Sequence, residues 1–261
     1  VSIPPISDYD MRRPRNELSD LGGSCALLMA LTYVAVGITY LFLPRDLKVV
    51  GMGDPAVYYP ALLKDPTPAL MLDWETAVMG LLGVAIVLAV SARVLHELSN
   101  GWIVYTGFLA LFGFALEALD SLRGTVFHLS RAEAWVHGDA STRAAIGATR
   151  LTLDYYGWFA FGAVGLWILA VSVPRISSEP AASGLGYLGV ALAIGNELLV
   201  LGWTFGVVSL IDLGVFLGAL TGIPWFTWMG LELRRAATPH AMPAAAATDN
   251  ARPSMPSREP C

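Results

Sequence analysis

The sequence predicts an all-α fold, a polytopic membrane bundle of about six transmembrane helices with both termini cytoplasmic. Three observations predict it. The 261 residues are 55% hydrophobic and only 14% charged, with a mean hydropathy of +0.59, a balance foreign to soluble domains. The apolar residues come in continuous runs near the ~20 residues that a helix needs to cross a bilayer. Those runs do not alternate polar and apolar, so helices rather than a barrel are implied.

Six runs qualify in order. They are CALLMALTYVAVGITYLFL (25–43), ETAVMGLLGVAIVLAVSA (75–92), WIVYTGFLALFGFALEALDSL (102–122), YYGWFAFGAVGLWILAVSV (155–173), LGYLGVALAIGNELLVLGWTF (185–205) and LGVFLGALTGIPWFTWMGLEL (213–233). Residues 1–23 form a polar N-terminal segment and 24–235 the transmembrane domain. Long outer loops lie at about 44–74 and 123–154, and 236–261 is a disordered Ala/Pro-rich tail. The first loop, rich in Pro and Gly, reads as extended, and 141–154 as a helix leading into the fourth span. The chain opens on Val1, read as an alternative start codon. No signal peptide precedes the first span, which is expected to be retained.

Orientation follows from arginine placement. Arg12, Arg13 and Arg15 precede span one, Arg93 and Arg175 lie in short turns, and Arg234 and Arg235 follow span six; an even span count places all of them on one side, read as cytoplasmic. Pro224 should kink span six, with Trp225 and Trp228 in an aromatic belt. Gly214 and Gly218 stand at the spacing that lets helices approach closely, within the bundle or between copies of the chain or a membrane-complex partner.

Composition also excludes classes. A net charge of -5 and no basic face argue against a nucleic-acid partner. Cys25 and Cys261 have no metal-ligand spacing and suggest no disulfide, and Cys261 is wrongly placed for prenylation. His96, His128, His137 and His240 lack metal or haem spacing, so no metal or other cofactor is expected, although His128 is placed to reach the rim of an outer pocket. Walker, GxSxG and CxxC motifs are missing, which sets aside nucleotide-driven and thiol chemistry.

The chemistry must then come from carboxylates. In FALEALDSLRG (114–124), Glu117, Asp120 and Arg123 share one helix face. Charges inside a span are costly and usually pair, face the bundle interior or line a cavity. Nearly all the embedded carboxylates fall in the outer half: Asp73, Glu75, Glu117, Asp120, Asp154 and Asp212, with Arg150 one turn before Asp154. Glu197, beside Asn196, lies deepest. Glu197, Glu117 and Asp120 are the candidate catalytic acids, and Arg123, Asn196, Asp154, Glu75 and Trp203 the candidate binding residues. The other reading of Asp73, Asp154 and Asp212 is helix capping. For Glu117, Asp120 and Arg123 it is a structural ion-pair network.

The polar N-terminus, the loop DPAVYYPALLKDPTPAL, a second span flowing into an arginine turn and the segment GALTGIPWFTWMGLELRR resemble a large bacterial family of six-span membrane proteins catalogued only as a domain of unknown function. The resemblance covers about residues 20–235. It implies a single helical bundle in the bacterial plasma membrane and transfers no catalytic residues. The leading functional expectation is an outward-facing, carboxylate-bearing pocket that binds a small amphiphilic molecule or lipid. A membrane enzyme of isomerase or cyclase type, using Glu/Asp acid-base chemistry on an isoprenoid-like or lipid substrate, stands beside it, as does an accessory subunit of a membrane complex.

Overall fold

In the computed structural model, residues 8–48, 54–97, 101–149, 153–154, 156–176 and 180–237 are described. Arg150, His240, Cys261 and the tail from 238 lie outside the described residues, as do the side chains of Arg12, Arg13, Arg15 and His96. Eight helices follow one another: α1 Asp8–Phe42, α2 Pro55–Lys64, α3 Thr67–Glu97, α4 Gly101–His137, α5 Ala140–Ala148, α6 Trp158–Ile176, α7 Pro180–Phe205 and α8 Val208–Ala237. The described residues contain no strand. Six helices (α1, α3, α4, α6, α7 and α8) are long and apolar enough to cross a membrane, the architecture of a multi-pass membrane protein.

The spanning helices form a closed ring. Each packs on its neighbour in the order α1, α3, α4, α6, α7, α8, and α8 returns to α1. Short connections make sequential helices spatial neighbours, and the α1–α8 packing joins the first and last spans. Its two ends differ. One, the terminal end, carries the Arg175–Glu232 pair at 2.6 Å and the Arg234–Asp20 pair at 3.5 Å. The other, the loop end, carries α2, the last turns of α4, and α5.

Trp167, Ile168, Trp225, Phe226, Met29, Ile86 and Met229 fill the core with almost no exposure. Trp225 therefore belongs to the interior and not to an aromatic belt: its ring stands edge-on to Trp167 at 6.2 Å and to Phe226 at 4.8 Å. α8 continues through Pro224, just before it. The belt is made by exposed aromatics elsewhere: Phe42, Trp74, Trp158 and Phe205 at the loop end, and Trp102, Tyr105 and Tyr187 at the terminal end. Tyr187 and Phe205 are 18 residues apart on α7, or ~27 Å at 1.5 Å per residue. That matches a hydrocarbon core of about 30 Å.

Gly214 is used inside the chain. A Cβ on it would stand 2.8 Å from the Gly195 carbonyl, so its missing side chain lets α8 approach α7.

The loop end is more helical than its composition predicts. Asp54 caps α2 by accepting the Ala56 N–H at 2.9 Å, and Pro55 occupies the first helical turn, so the proline that reads as a loop marker starts a helix. α4 runs on to His137, because the polarity that ends a span need not end a helix. Tyr58, Tyr59, Leu62, Leu43, Leu47 and Ala132 form a second small core there. Arg131 of α4 ties it together, donating to the Tyr59 hydroxyl at 2.7 Å and to the Ile146 and Thr149 carbonyls.

Candidate functional site

Where α6 begins, two aspartates work as caps. The Asp120 carboxylate on α4 accepts the Leu153 N–H at 2.9 Å and the Asp154 N–H at 3.2 Å. Asp154 in turn accepts the N–H groups of Trp158, Phe159 and Ala160 at 2.9, 2.7 and 2.8 Å. These are orphan donors of the π-helical turn Trp158–Ala163, which opens after Gly157 in the left-handed region at φ 70°. Capping thus describes Asp154, and it engages Asp120 as well. Arg123 stands 3.9 Å from Asp120 with 38% of its side chain exposed, a loose pair that counts for little.

Other polar groups gather on the facing side of α3. Glu75 accepts the Thr39 hydroxyl of α1 at 2.9 Å through Oε1, while its Oε2 is buried with no hydrogen-bond partner among the described residues. Thr76 and Ser121 share a hydrogen bond of 2.9 Å between α3 and α4. Asp73 Oδ2 lies 3.0 Å from His128 Nδ1, both atoms sealed from solvent. The Tyr58 ring stands edge-on to the imidazole at 6.4 Å. Burial, with the nearby Asp73 charge second, pushes the Tyr58 hydroxyl well above its ordinary value, so Tyr58 serves as a neutral group.

Glu117 lies at the centre of this arrangement. It is half-buried and within electrostatic range of Asp120, Asp154 and Asp73, with the Tyr33 hydroxyl of α1 also in range. All three charged neighbours are carboxylates. Tyr33 packs on Gly222 and Phe226 of α8. Gly37 falls in helical register with the buried Ala26 and Ala30, and Gly218 with the buried Trp225 and Met229. A Cβ built on Gly37 or Gly218 would meet nothing within 4 Å.

Glu197 is placed apart. Its Oε1 is buried without a partner among the described residues and sits 2.9 Å from where a Cβ on Gly165 of α6 would be. Glu197 is not among the charged neighbours of Glu117. Asn196 spends its amide on the Leu192 carbonyl of its own helix at 3.0 Å, and Trp203 is half-buried further along α7.

The structure therefore brings together Glu117, Asp120, Asp154 and Asp73, with Glu75 two residues along α3 from Asp73. Glu197, Asn196 and Trp203 lie on α7, and Glu197 is not among the charged neighbours of Glu117. Sequence reasoning missed Tyr33, Thr39 and the Asp73–His128 partnership. Tyr33 and Tyr40, seven residues apart in a hydrophobic run, were a usable signal for an inward polar stripe. Among the described residues, no three His, Cys, Asp or Glu side chains come together in a way that could hold a metal ion. Compared with protein-family models, curated proteins and solved structures, the chain matches none.

Proposed function

We propose that this multi-pass membrane protein binds a small amphiphilic cation in the loop-end half of its bundle. The site faces outward from a bacterial plasma membrane. The single observation that carries the reading is Glu117, a half-buried carboxylate whose charged neighbours are three further carboxylates. Clustered carboxyl groups at low dielectric, whose charged forms repel one another, are complementary to a cation and hostile to an anion. Room beside it is supported by Gly37 and Gly218, whose inward positions meet no neighbouring atom within 4 Å. The apolar walls of the ring suit the hydrophobic part of such a ligand. Arg93, Arg175, Arg234 and Arg235 at the opposite end support a cytoplasmic terminal end.

The test is equilibrium binding of tetraphenylphosphonium to the protein in lipid nanodiscs, with empty nanodiscs as background and tetraphenylborate as the isosteric anion. Saturable binding of the cation and none of the anion is expected. Equal partitioning of both into protein-bearing and empty discs would overturn the reading.

A further inference from the structure

Glu197 on α7 is a carboxylate that the candidate cation site does not use. It stands ten residues after Tyr187 and eight before Phe205, or ~15 and ~12 Å from these two exposed aromatics along the helix axis. That places it near the bilayer midplane, too deep for a glutamate side chain to reach either interface. Ile194, three residues before it, and Leu201, four after it, share its helix face and are 49% and 40% exposed. Glu197 therefore borders the lipid-facing stripe of α7, at the seam where α7 meets Gly165 of α6.

The side chain is only partly buried. Its Oε1 is sealed at the Gly165 seam with no hydrogen-bond partner among the described residues, and no charged side chain among them acts on it. An ionisable group at such depth ordinarily pairs inside its own bundle or lines an aqueous cavity. Glu197 has no such pair among the described residues, and its accessible side faces lipid. We propose that this stripe is a docking surface for a transmembrane helix of another protein that carries one arginine or lysine at the same depth. Charge complementarity favours that occupant over a second copy of this chain. The described lysines and arginines all lie toward the two ends of the bundle, with Arg93 and Arg175 closing α3 and α6 at the terminal end and Arg123 at the loop end.

The surroundings suit a helix. Ile194 and Leu201 supply apolar contacts one turn to either side of the carboxyl. Hydrocarbon excludes competing water and salt, so one ion pair there is screened little and selects depth as well as charge. Gly195 faces Gly214 and Gly218 of α8, and two residues of helix turn Glu197 to the opposite side of α7. A partner on the stripe therefore leaves the packing of α7 on α8 in place.

The experiment measures energy transfer in lipid vesicles between the labelled protein and two polyleucine transmembrane peptides, identical except for arginine or leucine at the centre. Arginine is the probe because it keeps its charge in any surroundings. The wild type should associate saturably with the arginine peptide and about tenfold more tightly than with the leucine peptide. Glu197→Gln should lose that preference, and moving the arginine toward one end of the peptide should weaken it. Equal association of both peptides with the wild type, a comparison that needs no variant, overturns the proposal and leaves Glu197 a neutral group against lipid. A preference retained in Glu197→Gln overturns the assignment to that residue. Saturating tetraphenylphosphonium, the probe of the cation site, should leave the preference unchanged; displacement of the peptide by it would place the peptide at that site and overturn the separate surface. Energy transfer between copies of the chain that disappears in Glu197→Gln would give the stripe to a second copy and overturn the choice of partner.

Discussion

Asp120 Oδ2 on α4 accepts the backbone N–H of Asp154 at 3.2 Å, so one aspartate positions another that caps the next spanning helix. The relay holds the opening turn of α6 against α4 and explains why two of the acids nearest Glu117 are employed in structure. Removing either leaves backbone donors unpaired at the membrane boundary. Asp154→Ala should cost about 1–2 kcal/mol of stability and Asp154→Asn less, because the amide oxygen still accepts. Thermal unfolding in detergent checks this, and equal melting temperatures for the wild type and Asp154→Ala would contradict the capping role.

Asp139 gives a local pH dependence outside the membrane. Its carboxylate accepts the Thr142 N–H at 2.8 Å and the Ser141 hydroxyl at 2.8 Å, which lowers its pKa to about 2. A depressed folded value means that the cap's contribution is complete above the unfolded carboxylate value of ~3.9. It fades as pH falls through about 2. Amide exchange, corrected for intrinsic rates, should show α5 protected at about pH 5 and losing that protection near pH 2. Asp139→Ala should lack it at both. Protection of α5 that is the same in Asp139→Ala would contradict the cap.

Much of the architecture was legible in the sequence because bilayer thickness imposes a length that hydropathy can count. Run 185–205 coincides with the spanning part of α7, Ser183–Phe205. The loop end was less legible for identifiable reasons. Asp54-Pro55 looks like a loop breaker and is a helix start, and Arg123 looks like the end of a helix that continues to His137. Polar partnerships between helices, such as Asp73 with His128, join residues 55 positions apart and leave no local spacing to read. Asp154 was legible as a possible cap, whereas the engagement of Asp120 in the same turn was not.

Ser172 is buried completely, its hydroxyl has no partner among the described residues, and it lies 1.9 Å from where a Cβ on Gly189 would be. Deleting an unpaired buried hydroxyl removes a desolvation cost, so Ser172→Ala should be neutral or stabilising by up to ~1 kcal/mol. Gly189→Ala should be strongly destabilising by overpacking, by about 1–3 kcal/mol or more. Unfolding of both variants decides it, and a clear loss of stability in Ser172→Ala would reveal a hydrogen bond this account lacks.

Glu197 and Glu117 are the two acids that a sequence would nominate equally, and their surroundings separate them. Glu197 packs against Gly165 with no charged neighbour among the described residues, whereas Glu117 lies within electrostatic range of three carboxylates. The decisive measurement is therefore tetraphenylphosphonium affinity in Glu117→Gln and Glu197→Gln, each shown to be folded. Glu117→Gln should bind about tenfold more weakly, equivalent to about 1.4 kcal/mol, and Glu197→Gln should stay within about twofold of the wild type. Wild-type affinity in Glu117→Gln, or the larger loss in Glu197→Gln, would contradict the placement of the site.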